Sequence, residues 1–196
     1  MRPGQDFPKN RCRGCWLVLE RCVCAVAHCH ELPIRIVVVR HHKEVTRASN
    51  SARLVPLTLL RSEIRDLDGH THAVDLSDLD PSTTAVLFPE GAPLEAGDHS
   101  ALTTLVIPDG TWRQTRRMVR RNPELAALPQ VGLSSGRVAK RVLQAPDPSA
   151  MSTLEAIGLA IHHLGFGEAS VDLLKLYDAF AAAGLAQRGG ANRPRR

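Results

Sequence analysis

The sequence predicts an α/β domain with a largely parallel sheet, preceded by a small cysteine-rich segment. Strand-length apolar runs alternate with helix-length amphipathic stretches, and several runs are apolar at every position, as buried parallel strands are. All five cysteines fall before residue 30. The length of 196 residues suits one domain with a small appendage. We place the cysteine-rich segment at 1–31, the main domain at 32–187 and a flexible basic tail at 188–196.

Composition places the chain among soluble globular proteins. The hydrophobic fraction is 43%, and no apolar run reaches the roughly 18 residues of a membrane-spanning helix. Because the amino terminus lacks the apolar stretch of a signal peptide, we expect a cytoplasmic protein without membrane association. The formal charge of +5 permits nucleic-acid binding, but only the placement of that charge can support it.

The cysteine-rich segment predicts a structural zinc site. Its first four cysteines follow the pattern C-x2-C-x6-C-x-C, and four thiolates satisfy tetrahedral zinc without leaving a position for substrate. The alternatives are reduced free thiols, or replacement of one ligand by Cys29, His28 or His30. The predicted zinc ligands are Cys12, Cys15, Cys22 and Cys24.

Four strands are predicted in the main domain. The β-branched run at 34–39 begins it, and further runs lie at 84–88 and 104–107, with a weaker one at 130–133. A short helical stretch is expected at 49–55. Between that stretch and the first strand, His41, His42 and Glu44 are interpreted as a surface turn.

Three longer helices are predicted. An arginine-rich one spans 113–121, and another begins at Ser152, where Ser-Thr-Leu-Glu forms a capping box, and ends at Gly165. The last covers 171–183.

The junction at residues 109–112, Asp-Gly-Thr-Trp, is the predicted site of chemistry. An acidic side chain at the carboxyl end of a buried strand, followed by a helix amino terminus, matches the ligand crevice of open α/β sheets. The candidate catalytic residues are Asp109, Thr111 and Trp112. Alternatively, Asp109 caps the helix and Trp112 packs in the core.

A basic helix face follows this junction. Its arginines share one face at spacings i, i+3, i+4 and i+7, without an intervening acid, and guanidinium groups in a row suit successive phosphates. A solvated helix face is the alternative. Arg53 and Arg141 are further candidates for RNA contact. The arginines on the helix face are Arg113, Arg116, Arg117 and Arg120.

Five sequence elements together resemble the DTW-domain family, in matching order and over roughly residues 12–165. The most specific combination is Asp109-Gly-Thr-Trp112 with Ser152-Thr-Leu-Glu-Ala156. The others are the cysteine cluster, Asn50-Ser-Ala-Arg53 and Leu87-Phe-Pro89.

This resemblance implies a tRNA-uridine aminocarboxypropyltransferase with a SPOUT-like fold and a knotted carboxyl-terminal region. Such an enzyme transfers the 3-amino-3-carboxypropyl group of S-adenosylmethionine to uridine N3 and releases methylthioadenosine. Asp109 would act as general base or orient the uracil, although a helix amino terminus would lower its basicity. Thr111 would hydrogen-bond a substrate, and Trp112 would wall the pocket or stack.

Strand ends suggest the positions that contact the S-adenosylmethionine cosubstrate, and tRNA is the expected partner, with no obligate protein partner indicated. Two other functions stay open: a SPOUT-like RNA methyltransferase using the same cosubstrate, and a non-catalytic zinc-dependent RNA-binding protein. The suggested cosubstrate-binding residues are Leu87, Pro89, Ile107, Leu133 and Thr153.

Overall fold

A five-stranded, wholly parallel sheet forms the centre of the molecule. The computed structural model describes residues 8–94, 99–133 and 151–191. The strand order is β2-β1-β4-β3-β5, which confirms the predicted parallel α/β architecture. The strands are β1 (Arg35–Arg40), β2 (Ser62–Asp66), β3 (Thr84–Pro93), β4 (Thr104–Asp109) and β5 (Gln130–Gly132).

Strand β2 was missed by the sequence analysis. Its sequence, Ser62-Glu-Ile-Arg-Asp66, is mostly polar because it lies at the edge of the described sheet, next to β1. Glu63 and Arg65 form an ion pair at 2.7 Å on one side of it. A strand that is partly exposed along its length lacks the continuous apolar run that marks the central strands.

Side chains of alternate residues in the central strands pack into two separate hydrophobic cores, one on each face of the sheet. On one face Ile36 and Leu105 pack with the two long carboxyl-terminal helices, and on the other Val37 and Val106 pack with the basic helix. This alternation follows from the two-residue period of a strand. The sheet is therefore the middle layer of an α/β/α arrangement.

The three longer predicted helices are present in the predicted order; the last is longer than predicted, and the short helix Pro123–Ala127 was not predicted. Helix α4 begins after a Ser152–Glu155 capping box and ends before Gly165, which has φ +93°. Short 3-10 turns precede α1, including His42–Glu44 and Ser51–Leu54. The helices are α1 (Val55–Thr58), α2 (Trp112–Arg121), α3 (Pro123–Ala127), α4 (Thr153–His163) and α5 (Gly167–Ala191).

The carboxyl end of β4 separates from β3. Register pairing between them stops at Val86 and Val106, whereas β1 pairs with β4 as far as Arg40 and Asp109. Pro108 is tolerated in this central strand because one side of the strand is already unpaired there. The strand end that carries Asp109 is therefore open on the β3 side.

The cysteine-rich segment shares a core with the main domain. Cys15 and Leu17 are buried in the same cluster as Ile36, and the amide of Val18 donates to Gln187 Oε1 on α5 at 3.3 Å. Helix α5 continues to Ala191, into the predicted tail.

The connection from β5 to α4, on which the predicted knot depends, lies outside the described residues. Within the described ranges, no helix combines the length and apolarity needed to cross a membrane.

Candidate active site and metal centre

Asp109 is a buried carboxylate held by two distant chain segments. It ends β4 and is 4% exposed. Asn50 Nδ2 donates to its Oδ2 at 2.6 Å, and Thr153 Oγ1 donates to its Oδ1 at 2.5 Å. Each carboxylate oxygen therefore has one side-chain donor, which fixes the plane of the group.

Asp109 does not cap helix α2, which was the alternative interpretation of this residue. The N-cap of α2 is Thr111, whose amide donates to Gln114 Oε1 at 2.7 Å, and the Asp109 carboxylate takes its hydrogen bonds from Asn50 and Thr153 instead. Burial raises the pKa of Asp109, and hydrogen bonds from Thr153 and Asn50 only partly oppose it. The net direction is therefore opposite to the lowered basicity expected from the sequence, because burial outweighs the contacts that favour the charged form.

A polar cleft of about 200 Å³ opens beside Asp109. Its walls come from residues within 44–51, from 109–111 and from 151–153, so it lies at the carboxyl edge of β1 and β4 and at the start of α4. Parallel sheets bind ligands at this edge. Among the described residues that line the cleft, the charged side chains are Glu44, Arg47 and Asp109.

Thr111 and Trp112 diverge from this cleft. Thr111 lines it, whereas Trp112 is half exposed and stacks on Phe88 with ring centroids 5.5 Å apart. The guanidinium of Arg116 lies 5.7 Å from the Trp112 ring. Trp112 therefore belongs to the surface of α2 rather than to the cleft wall.

Of the five suggested cosubstrate contacts, the structure brings only Thr153 into the cleft. Leu87 and Ile107 point into the core on the helix α4 and α5 side, Leu133 is half-buried against that core, and Pro89 is exposed. Strand-end position alone did not reveal which way each side chain faces.

The arginines of α2 are exposed along one face, as predicted. Arg116 is 3.1 Å from Glu90 of β3, so one of the four positive charges has an acidic partner that the local sequence did not reveal. Helix α2 starts at the cleft rim, because its N-cap Thr111 lines the cleft. Arg141 lies outside the described residues.

Arg53 is buried, with 8% of its surface exposed. Its guanidinium donates to the carbonyls of Asn50 at 3.0 Å and Arg47 at 2.8 Å, and it lies 4.7 Å from the Trp16 ring. Burial lowers its pKa to about 10. The side chain thus supports the cleft segment 47–50 from beneath and joins it to the cysteine-rich segment.

Sequence reasoning missed Glu44, Arg47 and Asn50 as site residues. Glu44 was interpreted as a surface turn, yet it is 8% exposed and lines the cleft. Its position just after a predicted buried strand was an available signal, because carboxyl ends of adjacent parallel strands meet at one edge.

The four predicted zinc ligands converge. Their sulfur atoms all lie within 4.8 Å of one another, and the described cluster excludes Cys29, whose thiol contacts the Leu57 carbonyl at 3.5 Å. The Cys12 and Cys24 sulfurs are 3.5 Å apart, and those of Cys15 and Cys22 are 3.9 Å apart. These separations fit a tetrahedral ion with bonds of about 2.3 Å, whose ligands lie about 3.8 Å apart. The cluster could hold a metal ion.

The local backbone supports this arrangement. Burial alone would raise the pKa of Cys12, but hydrogen bonds from the backbone of Cys15 and Gly14 and from Cys22 and Cys24 lower it to about 7. Burial and contacts with the neighbouring thiols instead raise the pKa of Cys24, so without an ion the four thiols do not all favour the thiolate form. At Gly14, an added Cβ would lie 2.9 Å from Cys24 Sγ. A side chain at this position would therefore displace the Cys24 sulfur from its place in the cluster.

The parallel sheet, the polar cleft at its carboxyl edge and the basic helix at the cleft rim define an α/β protein joined to a four-cysteine cluster that could hold a metal ion. The chain belongs to the DTW-domain family, whose model matches residues 9–184.

It is similar to tRNA-uridine aminocarboxypropyltransferase 2 of Drosophila melanogaster, with 31% identity over 159 residues. The match covers 75% of this chain and 63% of that relative, so the chain spans less than two thirds of the relative's length. No solved structure is significantly similar to the chain.

Proposed function

We propose that this protein is a cytoplasmic tRNA-uridine aminocarboxypropyltransferase that uses S-adenosylmethionine. The observation that carries the proposal is the buried Asp109 carboxylate, held by Asn50 and Thr153 at the wall of a polar cleft. The family match over residues 9–184 and the name of the fly relative support the reaction class.

Asp109 would serve as the general base. Uridine N3 attacks the carbon of the aminocarboxypropyl chain bonded to sulfur, that carbon–sulfur bond breaks with its electron pair going to sulfur, and the N3 proton passes to a carboxylate. Because burial raises the pKa of Asp109, its carboxylate is a stronger base than an exposed aspartate. Thr153 and Asn50 hold it in position.

The cleft has the features that a cationic cosubstrate requires. Glu44 and Asp109 supply negative charge, and Asn50 Oδ1 is a buried oxygen without a hydrogen-bond partner among the described residues. Thr111, Ser152 and Thr153 add hydroxyl groups. S-adenosylmethionine would supply the activated carbon that these residues orient.

The exposed face of α2 would bind tRNA phosphates. Arg113, Arg117 and Arg120 would make these contacts, with Arg116 shared between Glu90 and the RNA. Trp112, half exposed beside them, would offer its free surface to a nucleobase. We assign Arg53 a supporting role in place of the RNA contact expected from sequence, because its guanidinium already binds the protein's own carbonyls.

Zinc would hold the cysteine-rich segment as a structural ion, since four sulfur ligands leave no open position. A SPOUT-like fold with a knot is part of the proposal. It is supported by the return of the chain from the edge strand β5 to the sheet centre, where Thr153 of α4 meets Asp109 of β4.

The test incubates purified protein with unmodified bulk tRNA and S-adenosylmethionine, followed by mass spectrometry of nucleosides and small products. We expect aminocarboxypropyluridine and methylthioadenosine in equal amounts. S-adenosylhomocysteine with a methylated base would replace the proposal with an RNA methyltransferase. Tight tRNA binding without cosubstrate turnover would favour the RNA-binding protein.

A further inference from the structure

The charges that line the cleft mirror those of the proposed cosubstrate. Glu44 and Asp109 are acidic and Arg47 is basic, and all three side chains line the same cleft. S-adenosylmethionine carries the opposite set: a sulfonium, an α-ammonium and one α-carboxylate. With Asp109 assigned to the reacting uridine and the adjacent sulfonium, one acid and one base remain for the amino acid end.

We infer that Glu44 and Arg47 bind the two charged groups on the α-carbon of the transferred aminocarboxypropyl group, Glu44 taking the α-ammonium and Arg47 the α-carboxylate. This inference rests on the proposed function and deepens it, because it names how the transferred group is recognised. It concerns two residues that neither the sequence motifs nor the family resemblance singled out.

Glu44 is built into the fold as a buried acceptor. It closes the 3-10 turn that follows β1, and its amide donates to the His41 carbonyl at 2.8 Å. The residue is 8% exposed, and its Oε1 atom is buried without a hydrogen-bond partner. A buried carboxylate oxygen that accepts no hydrogen bond is costly, and a ligand ammonium would donate one to it.

Arg47 is placed to complete the pair. Its Nη1 lies 3.2 Å from Glu44 Oε1, which is an ion pair without hydrogen-bond geometry. The Arg47 side chain is 52% exposed, so its remaining donors are open toward the cleft and solvent. A guanidinium presents two parallel donors to a carboxylate, which is the group at the α-carbon of the cosubstrate.

The backbone under Arg47 is held in place before any ligand arrives. The Arg47 amide donates to the Glu44 carbonyl at 3.1 Å, and the Arg47 carbonyl accepts from the Arg53 guanidinium at 2.8 Å. The amide of Asn50 donates to the same carbonyl at 3.1 Å. This hydrogen-bonded segment connects Arg47 to Asn50, which holds Asp109. The residues that would bind the aminocarboxypropyl group and the residue that would act as base are therefore positioned by the same backbone segment.

An exposed i,i+3 ion pair usually contributes little to stability, and that is the competing role for Glu44 and Arg47. Glu44, however, is buried, and its Oε1 atom accepts no hydrogen bond. An ion pair that served only as a surface contact would leave this oxygen exposed to water. Holding both charged groups at the α-carbon would also align the sulfur-bonded carbon of the same chain with the uridine, whereas the methyl group carries no charge by which it could be held. Glu44 and Arg47 would therefore direct attack to the aminocarboxypropyl chain.

Calorimetric titration of purified full-length variants with three ligands tests this inference. The ligands are S-adenosylmethionine, decarboxylated S-adenosylmethionine and methylthioadenosine, which lacks the whole chain. For Arg47→Gln we expect affinity for S-adenosylmethionine to fall about tenfold or more, with the other two ligands unaffected. Glu44→Gln should weaken both ligands that carry the ammonium and leave methylthioadenosine unaffected. Arg47→Lys should recover part of the loss.

Arg61→Gln is the matched control, because Arg61 donates to the Pro33 carbonyl at the amino edge of the sheet, away from the cleft. Circular dichroism checks that each variant is folded. Equal losses for all three ligands, or no loss for S-adenosylmethionine, would overturn this inference while leaving the proposed function standing. Absence of S-adenosylmethionine binding and turnover in the unsubstituted protein would overturn both.

Discussion

The hydroxyl of Thr153 donates to Asp109 Oδ1 over 2.5 Å, joining the first residue of α4 to the last residue of β4. The two residues are 44 positions apart in the chain. Asn50 holds the other carboxylate oxygen from a third segment. The candidate base is therefore positioned by contacts that form only when the sheet and the carboxyl-terminal helices have assembled.

Asp109→Asn should abolish turnover without loss of stability. Turnover should fall about 100-fold or more, because an amide cannot take the N3 proton. The amide can still be accommodated, since Asn50 Oδ1 has no partner among the described residues and a flip of Asn50 would supply an acceptor. Product analysis and thermal melting measure the two effects.

The pH dependence of the Asp109→Asn stability difference has a defined sign. A raised pKa means that the folded protein holds the Asp109 proton more tightly than the unfolded chain does, so ionisation costs stability as pH rises from about 3.8 through the raised pKa. The variant should be at least as stable as the unsubstituted protein at pH 7. The difference in stability between the two proteins should shrink as the pH falls through the raised pKa toward about 3.8. A variant that melts earlier at pH 7 would contradict this account.

Thr153→Val should shift the pH profile of turnover to higher pH. The substitution removes the hydrogen bond that lowers the pKa of Asp109, and it leaves a buried carboxylate oxygen without that donor, at a cost of about 1–3 kcal/mol in unfolding free energy. Because a base must be deprotonated, the rising limb of the profile should move with the pKa. Thr153→Ser keeps the hydroxyl and should restore the original midpoint; identical midpoints for Val and Ser would rule out the hydrogen bond as the cause.

Removing the proposed zinc should destabilise the whole domain rather than the first residues alone. Cys15 and Leu17 share the main core, so loss of the cluster geometry exposes part of that core. Chelator treatment should lower the melting temperature and release one equivalent of metal. Cys15→Ser should lower the melting temperature and the amount of metal bound. Cys29→Ser is the control, since Cys29 lies outside the cluster and should retain both metal and stability.

Arg117→Gln should weaken tRNA binding and flatten its salt dependence. Loss of one phosphate contact lowers the slope of log affinity against log salt by about 1. Fluorescence anisotropy at several salt concentrations measures it. Arg61→Gln removes the same charge at the amino edge of the sheet and should leave the slope unchanged. Equal slopes for both variants would show that Arg117 does not contact RNA.

Arg53→Met should act on folding and not on RNA affinity. The substitution leaves the Asn50 and Arg47 carbonyls without their guanidinium donor, and we expect a loss of about 2–3 kcal/mol in unfolding free energy. Urea denaturation measures that loss. Fluorescence anisotropy on the folded variant should show an RNA affinity within about twofold of the unsubstituted protein, a difference no larger than one weak surface ion pair contributes. A selective drop in RNA affinity at unchanged stability would return Arg53 to the RNA surface.

Local patterns were sufficient for the central strands, the capping box at Ser152 and the spacing of the cysteine cluster. Each of these features depends on residues close together in sequence, through alternating burial, helix termination or ligand geometry. The same reasoning located Asp109 at the end of a buried strand. It could not find β2, because an edge strand carries little apolar signal.

The sequence by itself determined the fold class, the four clustered cysteines and the position of Asp109 at the end of a buried strand. Only the tertiary structure decided which side chains share the cleft: it brought Glu44, Asn50 and Thr153 to Asp109 and buried Arg53 under the cleft. The physical reason is that parallel strands distant in the chain end at one edge of the sheet. The contacts, the burial of Asp109 and its raised pKa exist only after that edge is assembled.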